Sequence, residues 1–308
     1  MNIRSYYLGI GTALVVGCVM ACSDSTSPST TASFDAQASD DIAPSAGNDI
    51  ASDYSFNGAT NVSSTLSGTF SLSTPTGSPG RLASLSTPTG VRADWISSHC
   101  TFNSPLFVCR GITRTDTATI GGKLDTLSYH HYAITYELLD SMGVFQQAYS
   151  KDSTASIQFI VADTVESAFT FNGDTFADTV DHQHNTTLSD LKGDPDTLHI
   201  WNSYGSGTIH SVRVSQIAKT YQLSSMDTTA GLYIKQPRSI NPYPLQGTII
   251  RDYTVTRTRL ASDTTTHMTT RRVVVTFNGT ANVPMTIQGA SGTTSYTLNL
   301  DTRKVAKQ

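Results

Sequence analysis

The chain has 308 residues, a formal net charge of -4 and a pI near 6.0, so it lacks the clustered Lys and Arg that a nucleic-acid footprint demands. Charged residues are 14% and aromatics 8%, while Ser and Thr together supply roughly a quarter of the chain, a bias toward strands and turns. The length is enough for one large β domain once an export signal and a linker are set aside.

At the N-terminus, Arg4 precedes a nearly uninterrupted apolar stretch, Tyr6 to Ala21, and a polar run begins at Ser23. This is the layout of a secretory signal, too short for a retained spanning helix. Val19-Met20-Ala21-Cys22 resembles the bacterial lipobox. The resemblance implies a signal peptide over residues 1–21, diacylglycerol on the Cys22 thiol, cleavage before that cysteine and attachment to membrane lipid, with an outer-membrane address. Val15-Val16-Gly17-Cys18 fits the same pattern, so Cys18 is a rival for the lipid.

Residues 22–51 are rich in Ser and Thr, hold one Phe and two Ile, and show no periodicity. Such a segment is expected to be a disordered tether, because it has too little apolar surface to offset the entropy of ordering. Residues 52–308 are expected to form a single β-rich domain. Within it Leu72-Ser73-Thr74-Pro75-Thr76-Gly77 recurs as residues 85–90, each copy ending in a turn signal. Phe-Asn-Gly occurs at Phe56, Phe171 and Phe277, and Asn-Gly is the preferred pair for a type I′ hairpin, so three hairpin tips are predicted. In an oxidising compartment Cys100 and Cys109 read as a disulfide closing a short loop with Ser104 and Pro105 at its tip.

Period-two alternation sets Tyr132, Ile134, Tyr136 and Leu138 on one face, and likewise Val273, Val275 and Phe277, and Tyr296, Leu298 and Leu300. Further strands are predicted at Gly68–Ser73, Val144–Tyr149, Ile157–Ala162, Leu198–Asn202, Thr208–Ser215 and Gly247–Leu260. Turns are expected at Asp140-Ser141-Met142-Gly143 and Tyr204-Gly205-Ser206-Gly207. No helix beyond the signal is convincing. The fold class is therefore all-β, an antiparallel meander of ten or more strands forming a curved sheet, an open barrel or a sandwich. Arg257, Arg259 and the Thr residues between them argue against a membrane-spanning barrel, whose outward face is continuously apolar.

Motifs for common catalytic families are missing: there is no Gly-x-Ser-x-Gly, His-Glu-x-x-His, Walker loop or Cys-x-x-Cys. The densest set of potential ligands runs from Asp174 to His199. On one strand, Asp174, Asp178, His182 and His184 would share a face with Phe176 and Val180, which could present two imidazoles and a carboxylate to a transition metal. The competing and favoured reading is a solvated hairpin arm with its polar residues outward. Asp190, Asp194 and Asp196 suggest a capped turn or a calcium loop. His130 and His131 should face opposite sides of a sheet, each half-exposed. Trp201 and Tyr204 could form a sugar-stacking platform, although core packing accounts for Trp201, and also for Trp95, more simply.

The expectation is a lipid-anchored envelope protein with a non-enzymatic β-rich binding or structural domain, with no catalytic residue, metal ligand or cofactor assigned. A metal-dependent hydrolase using the Asp174–His199 cluster and a surface carbohydrate-binding adhesin are the alternatives.

Overall fold

The computed structural model describes residues 29–59, 100–120, 123–147, 150, 152–192, 198–214, 219–235, 242–259 and 266–308. One helix, α1 (Ser29–Ala59), precedes thirteen strands among these residues. They are β1 (Cys100–Asn103), β2 (Leu106–Ile120), β3 (Lys123–Asp140), β4 (Phe145–Gln146), β5 (Thr154–Phe171), β6 (Asp174–Ser189), β7 (Leu198–Val214), β8 (Lys219–Lys235), β9 (Gln246–Arg259), β10 (Thr266–Thr276), β11 (Asn282–Gly289), β12 (Gly292–Asn299) and β13 (Val305–Lys307). Twelve strands pair antiparallel in chain order as one meander, and the short β4 lies beside the end of β3. β1 and β13 end the path, so the sheet is not closed. A meander of this kind needs only hairpin connections, in keeping with the short loops of the sequence.

The period-two faces fall as expected. Tyr132, Ile134, Tyr136 and Leu138 are buried, as are Val273, Val275 and Phe277, and Tyr296, Leu298 and Leu300. The tip at Phe171 is the predicted two-residue hairpin: Phe171 pairs with Asp174, and Asn172 and Gly173 both take positive φ. At Phe277 the chain makes a longer loop in which the Asn278 side chain accepts the backbone N–H of Thr280. Asp140 Oδ1 accepts the backbone N–H groups of Met142 and Val144 in the expected turn at residues 140–143.

Several expectations are corrected. Phe56-Asn57-Gly58 lies in α1, not at a hairpin tip. Tyr204 to Gly207 is not a turn, because β7 runs straight through it and joins two predicted strands into one. Among the described residues of the strand predicted at Val144–Tyr149, only Phe145 and Gln146 of β4 are extended in a ladder. The whole of β8 escaped prediction because its inward residues Ser225, Asp227 and Thr229 are polar, which hides the alternation. The strand at Gly68–Ser73, the two Leu-Ser-Thr-Pro-Thr-Gly repeats and Trp95 lie outside the described residues.

The largest correction concerns residues 22–51. From Ser29 onward the expected tether is α1, which sits against the buried face of the strands. Ala38, Ile42, Ala43, Ala46, Ile50 and Ala51 are at most 2% exposed, and Ser39, Ser45, Asn48, Asp49 and Ser52 at most 5%. A surface helix buries one stripe. Here every residue from Asp41 to Ser52 is buried, so this part of the helix has no solvent face and its sequence shows no amphipathic period. Its polar residues meet polar partners on the strands: Ser45 with Ser211 on β7, Asn48 with Ser167 on β5, Ser52 with His130 on β3, and Asp41 with Arg213 and Lys219. At Gly47 the helix packs so tightly on the sheet that a Cβ would stand 2.4 Å from Val305 Cγ2 and 3.3 Å from Leu298 Cδ1. From residue 29 the helix therefore packs with the strands that follow it.

Candidate functional site

The inward face of β6 alternates Phe176, Asp178, Val180, His182 and His184, all buried. The polar members of this face therefore point into the molecule and not, as expected from sequence, out to solvent. Two strand positions apart on one face, the His182 and His184 rings stack at 4.9 Å with an interplanar angle of 23°. They can do so because β7 offers glycine opposite each of them, Gly207 against His182 and Gly205 against His184. A Cβ at Gly207 would lie 2.3 Å from His182 Cδ2, and one at Gly205 2.3 Å from His184 Cδ2.

Three carboxylates close on this imidazole pair. Asp49 and Asp53 are four residues apart on α1 and so share a helix face; Asp227 comes from β8. His182 Nε2 lies 3.0 Å from Asp49 Oδ1, an ion-pair distance without the alignment of a hydrogen bond. His184 Nδ1 is 3.5 Å from Asp53 Oδ1, and its Nε2 lies 3.1 Å from Asp227 Oδ2. Behind the carboxylates stands Arg251 of β9, in contact with Asp53 Oδ2 and 3.3 Å from Asp227 Oδ1. Tyr253, two residues on, donates to Asp49 Oδ2 at 2.9 Å.

Burial and charge oppose one another in this network. Burial disfavours the His184 imidazolium, but the Asp53 carboxylate and the bond to Asp227 outweigh it and hold the group up at about 9. His182 is raised in the same way, against burial, by Asp49. Asp53 is driven well below the usual carboxylate range because His184 and Arg251 overcome its own desolvation. Beside the network, His130 is fully buried, with Nδ1 3.1 Å from Asp163 and Nε2 2.8 Å from the Ser128 hydroxyl. His131 is exposed, so the two histidines face opposite ways as predicted, but neither is half-exposed.

Other residues singled out from sequence are dispersed. Asp174 pairs with Arg213. Asp178 accepts the Ser211 hydroxyl at 2.6 Å, and burial pushes its carboxyl up to about 6. Asp190 has positive φ, and its carbonyl oxygen lies 2.8 Å from His199 Nδ1. Asp194 and Asp196 lie outside the described residues, as do Cys18 and Cys22. Cys100 and Cys109 are Cα partners in the β1–β2 ladder. Trp201 is 1% exposed and Tyr204 66%, on opposite faces of β7, so they form no common platform.

The sequence-derived ligand set therefore supplied His182 and His184 but missed Asp49, Asp53, Asp227, Arg251 and Tyr253. A legible signal was His-x-His against Gly-x-Gly, once the two strands are known to be neighbours. No protein-family model, curated protein or solved structure matches the chain.

Proposed function

We propose that the chain is a lipid-anchored protein of the bacterial cell envelope, held in the outer membrane through Cys22, whose helix-filled β domain acts without catalysis as a binding or structural module. The observation that carries the non-enzymatic part is that α1 covers the inward face of the strands and buries the acid–base groups there. A general acid or base must reach the proton it moves on a bound substrate. Asp49, Asp227, Arg251, His182 and His184 are each at most 7% exposed and face one another. A catalytic metal likewise keeps an open coordination position, which a sealed cluster does not offer to a substrate.

Partners are then met on the outward face, where β6 presents Thr175, Thr179, Asp181 and Gln183 and β8 presents Gln222, Ser224 and Thr228. These rows, polar apart from Ala177 and Met226, are at odds with the continuous apolar band of a membrane-spanning barrel, and the formal charge of -4 is at odds with a nucleic-acid partner. The lipobox-like Val19-Met20-Ala21-Cys22 supports the anchor. A disulfide between Cys100 and Cys109 would suit the same exported setting, and their opposed places in the ladder are compatible with one.

The anchor is tested by labelling cells with a fatty-acid analogue. Incorporation is expected in the native chain and in Cys18→Ser but not in Cys22→Ser, and globomycin should make an uncut precursor accumulate. Normal processing in globomycin, or label retained in Cys22→Ser, overturns the assignment.

A further inference from the structure

The arrangement of oxygens around the two histidines goes beyond this reading and does not depend on it. Each of the three buried carboxylates turns one oxygen toward Arg251 or Tyr253 and the other toward an imidazole: Asp53 by Oδ2 and Oδ1, Asp227 by Oδ1 and Oδ2, Asp49 by Oδ2 and Oδ1 respectively. The guanidinium therefore lies behind the carboxylates and not between them and the histidines. One ligand atom each from Asp53, His182 and His184 falls within 4.8 Å of the others. Asp53 Oδ1 and His184 Nδ1, 3.5 Å apart, stand close to the edge of about 3.3 Å that separates two ligands of a tetrahedral zinc ion with bonds of about 2.0–2.1 Å. His184 presents its other nitrogen to Asp227 at 3.1 Å, the carboxylate–histidine–metal arrangement that fixes the ring and its tautomer. Asp49 Oδ1 and His182 Nε2, 3.0 Å apart, are both buried and neither makes a hydrogen bond.

We propose that Asp53, His182 and His184 form a structural site for a zinc-like divalent cation that fastens α1 to β6, with Asp227 positioning His184 and Asp49 Oδ1 beside His182. The charge count agrees. Arg251 cancels one of the three carboxylate charges, and one divalent cation can cancel the other two by taking the place of the two imidazolium protons, leaving both imidazoles neutral, the form in which histidine ligates. Because the ligands come from two elements far apart in sequence, the site exists only in the folded chain. Because it is sealed, it loads as the chain folds.

The full chain is therefore unfolded in urea and refolded either with excess zinc chloride or with EDTA, then desalted. Metal content is measured by atomic absorption and melting by circular dichroism. One zinc per chain and a higher melting temperature than after refolding in EDTA are expected. His182→Gln with His184→Gln should abolish the stoichiometric zinc. Asp227→Asn should keep the stoichiometry and weaken zinc binding about 10–100-fold. No stoichiometric zinc in the native chain, or zinc without effect on melting, overturns the proposal in favour of a metal-free ion network. Undiminished affinity in Asp227→Asn overturns it in favour of zinc bound elsewhere. Should the double variant fail to refold, the native chain refolded with cobalt(II) decides: visible d–d absorption of a low-symmetry imidazole–carboxylate site supports the proposal, and its absence overturns it.

Discussion

Gly207 illustrates how a residue without a side chain decides the site. Its place on β7 directly under the His182 ring leaves no room for even one methyl group, since the added Cβ would sit 2.3 Å from Cδ2 and 2.8 Å from Nε2. Close-packed interiors resist such additions. Gly207→Ala should destabilise the chain by about 1–3 kcal/mol, measured as a drop in the urea midpoint, and part of the loss should return when His182→Ala is added. An unchanged midpoint would refute the packing account. Asp178 gives a second residue-scale expectation. Burial, only partly opposed by the Ser211 hydroxyl, raises its carboxyl from 3.8 to about 6, so between those values the folded chain holds a proton that the unfolded chain has lost. The stability tied to that proton is complete below about pH 4 and disappears as the pH climbs through 6. Relative to the native chain, Asp178→Asn should gain stability across that interval, by up to about 3 kcal/mol at neutral pH. A difference between the two proteins that stays flat with pH would contradict it.

At the scale of elements, α1 is a helix that its own sequence does little to make. Pro44 lies inside it and removes a backbone donor, Gly47 follows, and its first turn carries no acidic residue to complement the dipole. Its order comes from what surrounds it: apolar contact with the sheet near Val305, and pairs such as Asp41–Arg213, Asp35–Arg271 and Ser52–His130. A peptide of residues 29–59 should accordingly give a coil-like circular dichroism spectrum in water, and a strongly helical one would show that local propensity suffices. The same reasoning explains why the strands were unevenly legible. Where the inward face is apolar, as with Tyr132, Ile134, Tyr136 and Leu138, alternation was plain. Where it carries Asp178, His182 and His184, or Ser225, Asp227 and Thr229, the pattern was inverted or erased. Polar residues are tolerated inside because the helix facing them is polar too, which lowers the cost of burial, although Asp49 Oδ1 and His182 Nε2 stay at ion-pair distance without a hydrogen bond.

At the scale of the whole molecule, the unclosed sheet is held together across its interior as well as along its ladders. Arg303, between β12 and β13, donates to the Ser128 hydroxyl of β3 at 2.8 Å, linking the last strands of the meander to its third. Side-chain hydrogen bonds from the helix reach β3, β5, β7, β8, β9, β10, β12 and β13, and the Asp49–His182 ion pair reaches β6. The proposed anchor is close to this assembly. Six residues separate Cys22 from Ser29, a reach of roughly 20 Å when fully extended, shorter than a 30-residue tether would allow. Composition and alternation were sufficient for a β meander of many strands with hairpin turns, because period two and Asn-Gly turn chemistry are local properties of the chain. The helix, the inward direction of the histidines and the meeting of Asp49, Asp53, Asp227 and Arg251 with them were decided by tertiary structure alone. A buried polar segment and a solvated one have the same composition, and only the partners brought from distant strands distinguish them.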